Sequence, residues 1–166
     1  MTKVLYPGSF NPITKGHMKI IEQASEIFDE VIVAIIHNIN KQNELFDIPE
    51  RLEIIKELYK NKDNIKVLSS AEPTFRVAKE NDCRLIIRGI RDATDFDYEN
   101  RLQQTNREIS NGEVQTIILF ADKEYQNVSS SMVRELYYFD IDFSRYVDPL
   151  VKDKMLSKKI GGKNNG

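Results

Sequence analysis

With a single cysteine, Cys83, the 166-residue chain cannot form an internal disulfide. Cys83 stands just before the apolar run Leu85 to Ile87, which suits a small packing residue better than a nucleophile. Apolar runs of membrane-spanning length are also missing, and Met1-Thr2-Lys3-Val4 has no signal-peptide layout. The expectation is a cytoplasmic protein, in which the glycosylation pattern Asn127-Val128-Ser129 carries no weight. Excess positive charge is absent too: 24 Lys and Arg face 26 Asp and Glu, for a formal net charge of −2. That excludes a general electrostatic grip on nucleic acid or an anionic membrane. An anionic ligand must instead be held by a few placed cations. There is no internal repeat, low-complexity block or linker, so residues 1–160 read as one domain. The polar, glycine-rich stretch 161–166 reads as a frayed tail.

What is present is an ordinary globular balance, 40% hydrophobic and 30% charged. Short apolar runs alternate with segments of helical period. The runs are Val4 to Tyr6, Val31 to Ile36, Ile65 to Leu68, Leu85 to Ile87 and Val114 to Phe120. Two of them are nearly continuous, which suits strands covered on both faces of a parallel sheet. Between them, apolar residues recur three and four apart. The first such segment carries Ile20, Ile21, Ala24, Ile27 and Phe28. The second begins at Pro49 and carries Leu52, Ile55, Leu58 and Tyr59. A third runs from about Ala93 to Ile109, and a fourth follows Ser129-Ser130-Ser131. One more helix is expected from Val147 to Ile160. The alternation predicts an α/β fold with a five-stranded parallel sheet, right-handed crossovers and a C-terminal helix.

Three segments carry chemistry. Tyr6-Pro7-Gly8-Ser9-Phe10-Asn11-Pro12-Ile13-Thr14-Lys15-Gly16-His17 joins the first strand to the first helix. Ligands of open α/β sheets sit beyond the carboxyl ends of the strands. Glycines there admit a phosphate, and a helix start offers unpaired N–H groups. Read blandly, this is a turn with a capping Thr14 and a solvated histidine. Ile87-Arg88-Gly89-Ile90-Arg91 ends the fourth run and brings two arginines to the same edge, where their forks suit phosphate. The bland alternative pairs them with Asp92 and Asp95. Tyr125-Gln126-Asn127-Val128-Ser129-Ser130-Ser131 opens another helix, and its serines serve equally as caps or as phosphate ligands.

Taken together these blocks resemble the phosphopantetheine adenylyltransferase family of the HxGH nucleotidyltransferase superfamily. The first segment matches its Thr-x-Gly-His form, with Asn11 where the family usually has Asp. The second matches through Asp95, Phe96, Tyr98 and Glu99. The third matches through Arg134 and Glu135, with Val128 in place of the usual Ile. The resemblance implies a single Rossmann-like, doubly wound domain that transfers AMP from ATP to 4′-phosphopantetheine, giving dephospho-CoA and pyrophosphate. It implies His17 as the stabiliser of the transferred phosphate. It places Lys41, Arg88 and Ser9 on the acceptor phosphate, although the gap from Lys41 to Phe46 is one residue longer than usual. It places Arg91 and Ser129–Ser131 on the β- and γ-phosphates. Gly8, Ser9, Phe10, Gly89, Ile90, Tyr98, Glu99, Tyr125, Gln126, Asn127 and Val128 fall on the ATP side, and Thr74 near the pantetheine arm.

Magnesium is expected through the ATP phosphates rather than in a dedicated protein cage. A homohexamer and feedback binding of coenzyme A are further family expectations. An acceptor phosphate is already ionised at neutral pH, so the reaction asks for positioned charge rather than a general base. A nucleotidyltransferase for another acceptor, or a catalytically silent nucleotide binder, stays open as an alternative. Lys154-Met155-Leu156-Ser157-Lys158 imitates the lysine-rich loop of class I aminoacyl-tRNA synthetases. It falls in the terminal helix, and the chain has no basic excess to accompany it.

Overall fold

The five apolar runs become five strands: β1 (Lys3–Gly8), β2 (Glu30–Ile36), β3 (Ile65–Ser70), β4 (Leu85–Ile90) and β5 (Gln115–Phe120). All four strand pairings are parallel, in the order β3-β2-β1-β4-β5. This computed structural model describes residues 1–37 and 44–163, with side chains to Gly161. The helices are α1 (Lys15–Ile27), α2 (Ile48–Leu58), α3 (Thr74–Glu80), α4 (Ala93–Ile109), α5 (Ser130–Tyr138) and α6 (Pro149–Lys163), with a 3₁₀ turn at Lys123–Tyr125.

Alternation along each strand sends side chains to two layers. Val4 and Tyr6 of β1 join Val31, Val33 and Ile35 of β2 in a core with Ile21 of α1, Ile55 of α2, Val133 of α5 and Met155 of α6. Leu5, Ile32 and Ile86 face the other way, onto Val77 and Ala78 of α3, with Cys83 packed among them. Each fully buried Leu or Ile contributes roughly 1.5–3 kcal/mol relative to an exposed one, so the two layers hold the sheet between helices. The doubly wound architecture is as expected.

Several boundaries differ from the sequence reading. Helix α3 was not anticipated. It is seven residues long and has too few turns to display a period, yet a parallel crossover between β3 and β4 requires a covering element. Strands β1, β3 and β4 run further than their apolar runs, so Gly8, Ser69, Ser70, Arg88 and Gly89 lie within strands. Backbone pairing carries them, not apolar content. Helix α2 starts at Ile48, where Asp47 and Glu50 close a capping box. Helix α6 continues through Gly161 and Gly162 to Lys163, past the point where a tail was expected to begin. The imitation motif lies on α6, with Met155 in the core, Lys154 paired to Glu53 and Lys158 to Glu50.

The pairing registers locate the crevice. β1 pairs with β2 from Lys3 to Gly8. Against β4, β1 pairs only through Val4–Leu85 and Leu5–Ile86. Beyond those pairs β1 and β4 diverge, and the sheet opens at its carboxyl edge where the strand order reverses.

Candidate active site

A cleft of about 240 Å³ occupies this opening. Three distant segments meet in it: the turn after β1, the end of β4 with the start of α4, and the start of α5.

Thr14 is the N-cap of α1. Its Oγ1 accepts from the His17 N–H at 3.4 Å, and its own N–H donates to His17 Nδ1 at 3.0 Å. This reciprocal cap has a chemical consequence. Nδ1 accepts a backbone N–H, so the neutral ring carries its proton on Nε2. Burial pushes the His17 pKa down to about 4, and the positive charges of Arg91 and Arg88 add to the effect. At neutral pH His17 is therefore an uncharged hydrogen-bond donor through Nε2. Its ring and that of Phe10 meet edge to face, with centroids 5.2 Å apart at 78°. Phe10 in turn meets Tyr6, and a Cβ on Gly8 would fall 2.8 Å from the Phe10 ring. Gly89 has a similar reason: a Cβ there would press on Ile20 of α1 at 3.2 Å.

The two arginines are held alike. The Arg88 Nε and Nη2 donate to Glu99 at 2.6 and 2.7 Å, leaving Nη1 on the Pro7 carbonyl at 3.4 Å. Arg91 Nε and Nη2 donate to Asp95 at 2.9 and 3.2 Å, leaving Nη1 on the Val128 carbonyl at 3.3 Å. In both, a carboxylate grips one side of the fork and orients the other. Burial alone would depress the Arg88 pKa, but Glu99 outweighs it and holds the pKa above its ordinary value. Arg91 is held up chiefly by its hydrogen bond to Asp95, which correspondingly lowers the Asp95 pKa.

At α5 the three serines do three things. Ser129 caps the helix, accepting from the Met132 N–H at 3.1 Å. Ser130 donates to the Pro12 carbonyl at 2.7 Å, and Ser131 accepts from Arg134 at 3.2 Å. Arg134 also donates to the Asn11 carbonyl at 2.6 Å. What α5 offers a ligand is thus its first-turn backbone N–H groups and dipole end. Asn11, 3% exposed, accepts the Phe46 N–H through Oδ1 at 3.0 Å. An amide oxygen can accept this bond as a carboxylate would, so the contact is compatible with Asn11 at this position.

Of the expected site residues, Gly8, Phe10, His17, Arg88, Gly89, Arg91, Glu99, Tyr125, Val128, Ser129 and Ser130 line the cleft. Ser9, Gln126, Asn127, Ser131 and Thr74 do not. Tyr98 is 60% exposed on α4, and Ile90 lines a neighbouring apolar hollow with Phe96 and Phe120. Lys41 lies outside the described residues. Tyr6, Ile20 and Ala121 line the cleft without having been assigned a role, and Asp95 lines it as the arginine partner that the bland alternative named, held to Arg91. Nothing in the unbroken apolar run Val4-Leu5-Tyr6 singles out Tyr6. Arg51 was missed as well, although it shares the buried face of α2 with Ile54 and Ile55.

A cytidylyltransferase-like family profile matches residues 5–136. The chain is 42% identical over 153 residues to the phosphopantetheine adenylyltransferase of Finegoldia magna, covering 92% of this chain and 93% of that protein. It is 39% identical to the phosphopantetheine adenylyltransferase of Symbiobacterium thermophilum, over 95% of this chain and 96% of the other. The solved structure of Plasmodium falciparum nicotinic acid mononucleotide adenylyltransferase superposes with a TM-score of 0.68 at 16% identity. It covers 95% of this chain and 96% of that one, a likeness of fold.

Proposed function

The chain belongs to the phosphopantetheine adenylyltransferases within the cytidylyltransferase-like family, and on that premise we propose that it transfers AMP from ATP to 4′-phosphopantetheine. The products would be dephospho-CoA and pyrophosphate. The observation that carries this reading is the convergence of the His17 Nε2 donor, two pre-oriented arginines and the α5 N-terminus on one cleft.

In this reading an oxygen of the phosphopantetheine phosphate attacks the α-phosphorus. A new P–O bond forms as the bond to the bridging oxygen of pyrophosphate breaks, and no proton has to be removed. His17 donates through Nε2 to the α-phosphate as charge builds there. Arg91 and the first turn of α5 hold the β- and γ-phosphates. Arg88 reaches the acceptor phosphate from the cleft, and kinship alone adds Ser9 and Lys41 there, with Thr74 toward the pantetheine arm. The Gly8–Phe10 backbone, with Gly89 and Glu99, lines the ATP side.

Asp95 and Glu99, the carboxylates of the cleft, both face arginines, and no metal-binding cluster occurs among the described residues. Magnesium would arrive with ATP and neutralise part of its phosphate charge. On the same kinship we propose a homohexamer and inhibition by coenzyme A.

The test is pyrophosphate release from ATP and magnesium, with and without 4′-phosphopantetheine. Release should require the acceptor and match dephospho-CoA in amount. His17→Ala should lower kcat by about 10²–10³-fold while ATP affinity changes little. Release with another acceptor, or an equal loss confined to ATP binding, would overturn the assignment.

A further inference from the structure

Arg51 is 1% exposed and does not line the cleft. Its guanidinium has a partner on each nitrogen: Nε donates to the Phe46 carbonyl at 2.8 Å, Nη1 to the Ser9 carbonyl at 3.0 Å, and Nη2 pairs with the Glu44 carboxylate. Stability alone does not ask for a cation here, since a buried ion pair is often matched or bettered by apolar side chains of similar volume. The partners suggest what the charge is for. Ser9 immediately precedes Phe10, which adopts a left-handed backbone, φ 47°, unusual for a bulky residue. Such a conformation persists where its surroundings over-determine it. On the other side of Phe10, Asn11 is fixed by the Phe46 N–H and by Arg134. Phe46 thus ties to Asn11 through its N–H and to Arg51 through its carbonyl. The ring so placed lies against the His17 imidazole.

We propose that Arg51 is a positioning residue for nucleotidyl transfer: by gripping the Ser9 carbonyl it holds the Ser9–Phe10 peptide so that the Phe10 ring fixes the His17 imidazole. The role acts through Phe10 and rests on the assignment of His17 made above.

The test uses the full chain with Arg51→Lys, which keeps the charge and loses the fork, and Glu44→Gln, a milder change at the rim of the network. The chain has two histidines, so a histidine-selective NMR spectrum, assigned with His37→Gln, isolates the His17 ring resonances and their ring-current shift from Phe10. In folded Arg51→Lys that shift should fall by more than about half. Turnover should drop about ten- to a hundredfold while the KM for ATP stays within about threefold. Glu44→Gln should move both readouts in the same direction, with kcat down about two- to fivefold. Folded variants with wild-type His17 resonances and wild-type kcat would overturn the proposal, as would a loss expressed in KM alone. The spectrum is read without substrate, so its outcome is independent of which acceptor the enzyme uses.

Discussion

A histidine near a phosphate is usually pictured as a cation, and His17 is built otherwise. Its Nδ1 is committed to the Thr14 N–H, and burial beside Arg91 and Arg88 brings its pKa to about 4. The folded value lies below the ordinary 6.5 of an exposed histidine. The folded state therefore prefers the neutral ring. The stability this lends is complete above about pH 6.5, and it declines as pH falls from there toward 4, where the unfolded chain takes up the proton first. Urea unfolding of the ligand-free protein should show its midpoint falling across that window. His17→Asn should remove that part of the slope, and an unchanged slope would contradict the depressed pKa.

Among the elements, α5 shows how one helix start serves two purposes. Ser129 is needed to cap it, Ser130 ties it to the turn after β1, and Arg91 reaches the Val128 carbonyl just ahead of the cap. The backbone N–H groups left over can meet phosphate because the side chains keep the turn in place. Ser129→Ala should cost about 1 kcal/mol of stability, the usual value of a lost cap. It should also raise the KM for ATP severalfold, with a smaller effect on kcat. Denaturation and initial-rate measurements on the same preparation check both. A KM equal to that of the wild type would mean that the first turn of α5 does not hold the nucleotide.

Over the whole molecule, the sheet gives its two ends different tasks. At the carboxyl edge β1 and β4 part after two paired positions, and chemistry-bearing residues crowd into the gap. Cys83 precedes β4 at the other end, 2% exposed, in the layer beneath α3. Burial pushes its thiol up to about 11, so little thiolate exists at neutral pH. Ellman's reagent should leave the folded protein essentially unlabelled and modify one thiol per chain in denaturant. Rapid labelling of the native protein would contradict this packing.

Strand number, the parallel sheet, the three blocks at the cleft and the kinship they announce were legible in residue order, because hydrophobic period and turn chemistry are local properties. Helix α4 could be bounded at both ends for that reason, from Ala93 to Ile109, although its cap Asp92 stood in the sequence reading only as a partner for the arginines. Helix α3 was too short to show a period, and its presence is dictated by the crossover it completes. The Arg91–Asp95 pair stood among the alternatives, but the grip of Glu99 on Arg88, the neutral state of His17 and the grip of Arg51 on Ser9, 42 positions away, could not be read in advance. Hydrogen-bond partners and desolvation depend on which segments the fold brings together. The residue types for phosphate chemistry were written in the chain, whereas their orientation and protonation were decided by the tertiary structure.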